Sequence, residues 1–193
     1  MLVGVAFLIF LVTVPIAGGR LGELAYVRPR AGWLLAAGLG LQVLIISIAP
    51  EGAHGVHAAT HLVSYALVAA FVAVNLGVPY LWLIAFGGML NLVAIAANGG
   101  VMPADPDALA AAGIAADPQA FSNSTAVADP ALLPLGDVFW LPASWPVSNV
   151  FSVGDVVIVV GAFLALHTIA GSRLAVRRFA TPRRPRTPQP AES

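Results

Sequence analysis

The sequence predicts an all-α integral membrane protein, a bundle of five transmembrane helices, on three observations. Hydrophobic residues make up 59% of the 193 residues, and the mean hydropathy is +0.90. Charged residues make up only 9%, whereas an ordinary soluble domain carries about 25%. Five apolar stretches are each long enough to cross the ~30 Å hydrocarbon core of a bilayer. So few charges could not cover the surface of a soluble fold, which excludes a water-soluble globular enzyme.

The predicted membrane domain covers residues 1–172 and contains five spans. The first lacks the basic flank of a secretory signal peptide. The second contains Gly32, Ala36 and Gly40, a small-xxx-small pattern that predicts close helix packing. A long extracytoplasmic segment, 98–152, separates the fourth span from the fifth. The five spans are residues 2–17, 31–49, 57–76, 78–97 and 153–171.

The distribution of arginine predicts the orientation of the bundle. All nine cations are Arg, three of them at positions 20–30 and six after the fifth span. The positive-inside rule places both groups in the cytoplasm, so the N-terminus lies outside and the C-terminus inside. The tail, 173–193, is basic and rich in Pro, and it is predicted to be disordered, either touching anionic lipid or simply solvated.

The extracytoplasmic segment is predicted to contain some structure of its own. Asp105 is placed to cap a short helix that runs through Ala112 and stops at Gly113. Later in the segment the chain is predicted to be extended, with Trp140 and Trp145 as anchors at the membrane interface.

Several kinds of chemistry are excluded by residue usage. The chain has no Cys and no Lys, so it cannot use a thiol nucleophile, a cysteine zinc site or a lysine Schiff base. It contains no phosphate-cradling motif, so nucleotide-driven chemistry is not expected. We therefore predict no cofactor and no nucleic-acid partner; the expected partners are the lipid bilayer and a membrane protein or lipoprotein.

Two aspartates are the candidate catalytic residues. Asp155 lies in the first turn of the fifth span, where it could simply cap the helix. Asp137 lies 18 residues earlier, where it could simply be a turn residue. If the two carboxylates meet, one can keep a proton as the acid while the other activates water, which is the chemistry of aspartic peptidases.

Other polar residues near the same end supply weaker candidates. His54, His57 and His61 have the spacing of one helical face and could bind a metal, but interfacial or packing histidines are the more common outcome. Asn91 and Asn98 lie seven residues apart in the fourth span, and their ordinary role would be hydrogen bonding between helices. Asn98, Gly99 and Asn91 are the candidate substrate-binding residues.

Two resemblances concern the same region. The sequence Phe151-Ser-Val-Gly-Asp155 resembles the start of the last helix of the lipoprotein signal peptidases, and Asp137 falls at the distance of that family's other catalytic aspartate. Here Ser152 and Gly154 replace the Asn and Ala of that motif. In this motif and in Asn98-Gly-Gly-Val-Met-Pro103 the chain also resembles a bacterial multi-pass family of unknown function. This closer resemblance extends over most of residues 1–172 and implies an inner-membrane location.

Three functions remain open from the sequence. The first is a non-enzymatic membrane protein that acts in assembly, sensing or scaffolding. The second is an aspartyl hydrolase at the outer membrane face that uses Asp137 and Asp155, with Asn98 orienting the substrate. The third is a small transporter or cofactor-binding protein that uses His54, His57 and His61.

Overall fold

The computed structural model describes residues 2–44, 54–114, 124–127 and 129–175, and this part of the chain is mainly helical. Its α-helices are α1 (Leu2–Ile16), α2 (Gly32–Val43), α3 (His54–Val74), α4 (Leu81–Ala97), α5 (Pro106–Ala111) and α6 (Val153–Ile169). Its strands are β1 (Met102–Pro103), β2 (Ser124–Thr125), β3 (Phe139–Leu141) and β4 (Asn149–Phe151), and its 3₁₀ helices are Leu21–Tyr26 and Leu133–Leu135.

The five longer helices pack as a series of neighbours. α2 lies against α3, α3 against α4, α4 against α6, and α6 against α1. Each of these helices coincides with one of the five apolar stretches, since an apolar run of this length favours a buried helix over a strand. The α4–α6 contact is the most extensive of the series, and it brings the end of α4 beside the start of α6.

The prediction of five transmembrane spans is wrong. Among the described residues, no helix combines the length and the apolar character needed to cross a membrane. A span needs about 20 apolar residues, whereas α1, α2, α4 and α6 have 15, 12, 17 and 17 residues. α3 has 21 residues, but polar side chains occupy much of its N-terminal half. The N-out, C-in bundle, the multi-pass assignment and the inner-membrane localisation are contradicted by the same finding.

The expected all-α class is also incomplete, because the region after α4 contains two small sheets. β1 and β2 pair in parallel, and β3 and β4 pair antiparallel with Phe139 opposite Phe151. The rings of this opposite pair stack at a centroid distance of 5.5 Å. Trp140 lies in β3 as extended structure, whereas Trp145 lies in the turn between β3 and β4, where its backbone N–H donates to the Pro142 carbonyl oxygen at 2.9 Å; both tryptophans are exposed.

The short helix of this region forms for the predicted reason. The Asp105 Oδ1 atom accepts hydrogen bonds from the backbone N–H groups of Asp107 at 2.8 Å and Ala108 at 3.4 Å. Pro106 occupies the first turn, where its missing N–H costs nothing. Gly113 follows the helix with φ +69°, the left-handed conformation that ends helices. α5 packs on β4 through a small apolar cluster, Ala104, Ala108, Leu109, Ala112 and Val150.

Glycines allow α4 and α6 to approach closely. A Cβ atom on Gly87 would lie 2.8 Å from the Ile158 side chain and 2.9 Å from the Ile158 amide nitrogen. A Cβ atom on Gly154 would overlap the Asn91 side chain and lie 2.7 Å from the Gly87 carbonyl oxygen. This close approach brings the polar side chains at the two helix ends within hydrogen-bond distance.

An asparagine fastens the opposite end of α3 to the chain before α2. The Asn75 Oδ1 atom accepts a hydrogen bond from the Arg30 backbone N–H at 2.7 Å. Its Nδ2 group donates to the carbonyl oxygens of Arg30 at 2.8 Å and Phe71 at 2.7 Å. Arg30 therefore lies at the C-terminal end of α3, far along that helix from His61.

Candidate functional site

A cluster of polar side chains lies where the start of α6, the end of α4 and the N-terminal half of α3 meet. Its members come from four separate stretches of chain, and we refer to them together as the polar cluster. Most of these side chains are buried: His61, Asn91, Asp137 and Ser152 are each less than 9% exposed. Buried polar groups need hydrogen-bond partners, so the contacts of each one define what the cluster can do. The polar cluster comprises His61, Tyr65, Asn91, Asp137, Ser152 and Asp155.

Asp155 is held by α6 and by α4 together. Ser152 is the N-cap of α6: its Oγ atom accepts a hydrogen bond from the Asp155 N–H at 3.0 Å, and its own N–H donates to Asp155 Oδ2 at 3.2 Å. This is a reciprocal capping box. The other carboxylate oxygen, Oδ1, accepts a hydrogen bond from Asn91 Nδ2 at 2.9 Å. Hydrogen bonds to both oxygens thus fix the orientation of the Asp155 carboxylate.

Asn91 sets the position of this network from α4. Its Nδ2 group donates to Asp155, and its Oδ1 atom accepts a hydrogen bond from Ser152 Oγ at 2.8 Å. The amide lies directly against Gly154, because no side chain intervenes there. Asn91 therefore makes the hydrogen bond between helices that its usual role would predict, and its partner is the candidate catalytic Asp155.

Asp137 enters the cluster from the segment between α5 and β3. It is only 3% exposed. Its backbone N–H donates to the Pro103 carbonyl oxygen at 2.9 Å, and its carbonyl accepts from the Asp105 N–H at 3.1 Å. These bonds form a parallel bridge beside Ala104 and fix the backbone that carries the carboxyl group. Asp137 is thus a buried residue of this bridge rather than the simple turn residue considered from the sequence.

Tyr65 links the two aspartates electrostatically. Burial, then the charge of Asp155, then the charge of Asp137 together raise the pKa of the Tyr65 phenol to about 12. Each carboxylate disfavours the phenolate, because like charges close together repel. The phenol therefore stays protonated and can donate a hydrogen bond over the whole physiological pH range. Both carboxylates therefore act on this one phenol.

His61 lies beside Tyr65 on α3, with ring centroids 5.3 Å apart. Its Nδ1 atom lies 3.2 Å from the Gly100 carbonyl oxygen, which can only accept, so we assign the proton to Nδ1. Burial lowers the pKa of the imidazole, and the bond to Gly100 opposes that effect. The side chain is 1% exposed, so at neutral pH it is an uncharged member of the cluster.

Arginines of the described region lie at the other end of the helices. The backbone N–H of Arg20 donates to the Ala170 carbonyl oxygen, and the backbone N–H of Arg173 donates to the Ala17 carbonyl oxygen. Both residues therefore lie beyond the C-terminus of α6. α6 has 17 residues and is about 25 Å long. Arg20 and Arg173 are therefore separated from the polar cluster by about the length of α6, and these two cations do not neutralise it.

The remaining predicted site residues have other surroundings. The Asn98 side chain joins α4 to the Ala131 backbone: Nδ2 donates to the Ala131 carbonyl at 2.7 Å, and Oδ1 accepts from the Ala131 N–H at 2.9 Å. Gly99 is exposed and adopts φ +68° in the turn after α4. His54 and His57 lie on the first turn of α3, but their side chains are outside the described part of the structure. No group of three potential metal ligands occurs among the described residues.

The comparisons with known proteins identify a family. Residues 27–167 match the family model described as a family of unknown function, DUF5317. The chain belongs to this family. No curated protein and no solved structure matches it. The resemblance to an uncharacterised family is therefore confirmed, whereas the resemblance to lipoprotein signal peptidases receives no support. The matched region of this DUF5317 protein contains every member of the polar cluster.

Sequence reasoning missed two members of the polar cluster. Tyr65 is not among the candidates from the sequence, because nothing in its neighbourhood along the chain indicates two distant carboxylates. Ser152 carried a usable signal, since Ser-x-x-Asp before an apolar run is a capping-box pattern. That pattern predicts the cap of α6, and the structure adds Asn91 as a third partner of the box.

The electrostatic link through Tyr65 can be tested without a substrate. Replacing Asp137 by Asn should lower the pKa of Tyr65 from about 12 toward its ordinary value of 10.0, because one of the two repelling charges is lost. The pKa is measured by alkaline titration of the phenol resonance in tyrosine-labelled protein, with Tyr65→Phe identifying the signal. The exposed Asp107→Asn variant is the control and should leave the pKa unchanged. An equal effect of both variants would mean that Asp137 does not act on Tyr65.

Proposed function

We propose that this protein is a hydrolase that uses Asp137 and Asp155 as an acid–base pair. The observation that supports the proposal most is the placement of both residues around the end of α4: Asp155 is bonded to Asn91, and the buried Asp137 is bonded to the Pro103 backbone just after that helix. The Tyr65 ring packs on the same helix end, and both carboxylates act on its pKa. Two carboxylates in one poorly solvated site favour a state that shares a proton, so one is a base and the other an acid. Such a pair activates water without a metal, a thiol or a lysine, which agrees with the residue usage of the chain.

The surroundings of the two carboxylates suggest a role for each. Asp155 accepts hydrogen bonds from Asn91 and from the Ser152 N–H, which orient its two oxygens. We assign Asp155 the role of the base that takes a proton from water. We assign the almost completely buried Asp137 the role of the acid that delivers a proton to the leaving group. The Tyr65 hydroxyl is the donor for the oxygen that gains negative charge.

The reaction class follows from these roles. Water attacks a carbonyl carbon of an ester or amide, its proton passes to Asp155, and the carbonyl oxygen gains a negative charge. Collapse of this intermediate breaks the bond to the leaving group, which takes a proton from Asp137. One water is consumed, and the two carboxyl groups exchange protons again before the next turnover.

Labelling of carboxyl groups tests the pair without knowledge of the substrate. In a nitrophenyl glycidyl ether, an ionised carboxylate attacks an epoxide carbon, the carbon–oxygen bond opens, and the alkoxide takes the proton of the neighbouring acid. We expect one ester per protein, on Asp155 or Asp137, located by peptide mass spectrometry. Asp137→Asn and Asp155→Asn should each prevent labelling of the other residue, while Asp105→Asn should not. Labelling spread over the exposed carboxylates, or unchanged in both variants, would contradict the proposal.

A second candidate function is non-enzymatic, in assembly, sensing or scaffolding. It is favoured by one specific observation: both oxygens of Asp155 already have partners within the protein, as in a purely structural helix cap. In that case Asp155→Asn perturbs only the capping box, and Asp137→Asn has no effect on the reactivity of residue 155. The labelling experiment therefore separates the two functions.

A further inference from the structure

A second buried histidine lies at the opposite end of α6, outside the polar cluster. His167 is 0% exposed, and it joins three segments of the chain. Its Nε2 atom lies 3.2 Å from Thr13 Oγ1 on α1, and its Nδ1 atom lies 2.7 Å from Ser172 Oγ in the turn after α6. We call these three residues, Thr13, His167 and Ser172, the α1 latch.

The hydrogen bonds of the latch define one arrangement of protons. The Thr13 hydroxyl donates to the Phe10 carbonyl oxygen at 2.9 Å, so its oxygen is left to accept a bond from His167 Nε2–H. His167 Nδ1 is then the acceptor for the Ser172 hydroxyl. Ser172 Oγ in turn accepts the Leu174 N–H at 3.2 Å. Every donor in this series of hydrogen bonds has an acceptor only while the His167 imidazole is neutral.

Protonation of His167 would disturb this arrangement. A proton on Nδ1 leaves two donors facing each other, so the Ser172 hydroxyl must turn away into a buried site. The imidazolium would also be a charge without water, since His167 has no exposed surface. Burial accordingly lowers the pKa of this histidine below its ordinary value of 6.5.

Among the described residues, no unpaired carboxylate lies at this end of α6 to compensate such a charge. α1 and α4, the helices packed against α6, carry no titratable side chain within their described ranges. Two 3₁₀ helices also contact α6: Leu21–Tyr26 supplies Glu23, which is paired with Arg20, and Tyr26, while Leu133–Leu135 has no titratable side chain. The turn after α6 supplies Arg173, another cation. Asp155 lies about 18 Å away along the axis of α6.

We propose that the α1 latch is an acid-sensitive device that weakens the docking of α1 on α6 when the pH falls below about 6.5. When α1 opens, His167 regains contact with water and an ordinary affinity for protons. Below pH 6.5 the open form therefore binds a proton on His167, whereas the closed form does not. The opening equilibrium increases by up to about tenfold for each pH unit, until the closed form also becomes protonated.

Hydrogen exchange measured between pH 7.5 and 5 tests the device. After correction for intrinsic exchange rates, the protection of amides in α1 should fall as the pH decreases, by up to about tenfold per pH unit below 6.5. Amides of α2 are the internal control, since that helix packs on α3 and not on α6, so they report the stability of the whole protein rather than the opening of α1. In a His167→Gln variant, which cannot titrate at this position, the protection of α1 should change with pH no more than that of α2.

Two results would overturn the proposal. One is protection of α1 that stays constant from pH 7.5 to 5 in the wild-type protein. The other is a loss of α1 protection, beyond that of α2, which persists in His167→Gln. If that variant does not fold, nuclear magnetic resonance titration of His167 in the wild-type protein decides, because a midpoint at or above the ordinary value of 6.5 contradicts the proposal.

Discussion

Replacing Gly154 by Ala is expected to lower the free energy of unfolding by about 3–5 kcal/mol. The new methyl group would overlap the Asn91 side chain and lie 2.7 Å from the Gly87 carbonyl oxygen. Asn91 would have to move, and both of its hydrogen bonds, to Asp155 and Ser152, would be lost. Because these groups are buried or half-buried, the cost includes unsatisfied donors as well as steric strain.

The same helix pair offers a matched control for this substitution. Gly88 lies next to Gly87 on α4, but a Cβ atom there has no neighbour within 4 Å. Gly88→Ala should therefore be neutral or stabilise the protein by about 0.5–1 kcal/mol, as expected for alanine replacing glycine within a helix. Both variants are compared by chemical denaturation followed by circular dichroism. Similar stabilities of Gly154→Ala and Gly88→Ala would show that α4 and α6 do not approach as closely as described.

Local elements of the fold could be predicted from the sequence because their causes are local. Five apolar runs became five helices, and Asp105 with Pro106 started α5. The cap of α6 follows from Ser152 and Asp155, which lie three residues apart. In each case the interacting atoms belong to the same few residues, so spacing along the chain is sufficient evidence.

Helix packing could not be predicted in the same way. The small residues Gly32, Ala36 and Gly40 suggested the packed face of α2, but Gly32 and Gly40 have open space around them. The glycine that faces α3 is Gly38, where a Cβ atom would lie 2.8 Å from the Val68 side chain. A pattern of small residues predicts that a close approach is possible, whereas the partner helix decides which residue makes it.

The membrane prediction was wrong because the length of each apolar stretch was taken as the length of a membrane-spanning helix. α1, α3, α4 and α6 end close to glycine, proline or polar residues, which interrupt the hydrogen-bond ladder. The candidate site shows the opposite situation. Asp137 and Asp155 could be named from the sequence, but their combined effect on Tyr65, 72 residues before Asp137, depends on the three-dimensional fold.

Acidification is expected to lower the free energy of unfolding of the whole protein by up to about 2.7 kcal/mol per pH unit, starting near pH 6.5. His61 and His167 are 1% and 0% exposed, and burial lowers the pKa of both. Above pH 6.5 neither the folded nor the unfolded state protonates them, so their titration leaves stability unchanged. Below pH 6.5 the unfolded chain binds two protons that the folded protein excludes, and stability falls until the folded-state pKa values are reached.

Variants that retain hydrogen bonding but cannot titrate separate the two contributions to this acid sensitivity. In His61→Asn the amide nitrogen can still donate to the Gly100 carbonyl oxygen, and His167→Gln retains an amide at the α1 latch. Each variant should have about half the wild-type slope of unfolding free energy against pH between 6.5 and 5.5, and the double variant almost none. The slopes come from urea denaturation at closely spaced pH values, a range that lies above the ordinary titration of Asp and Glu. If the double variant retained the full wild-type slope of unfolding free energy against pH, other groups would cause the acid sensitivity. Both histidines would then titrate normally in the folded protein.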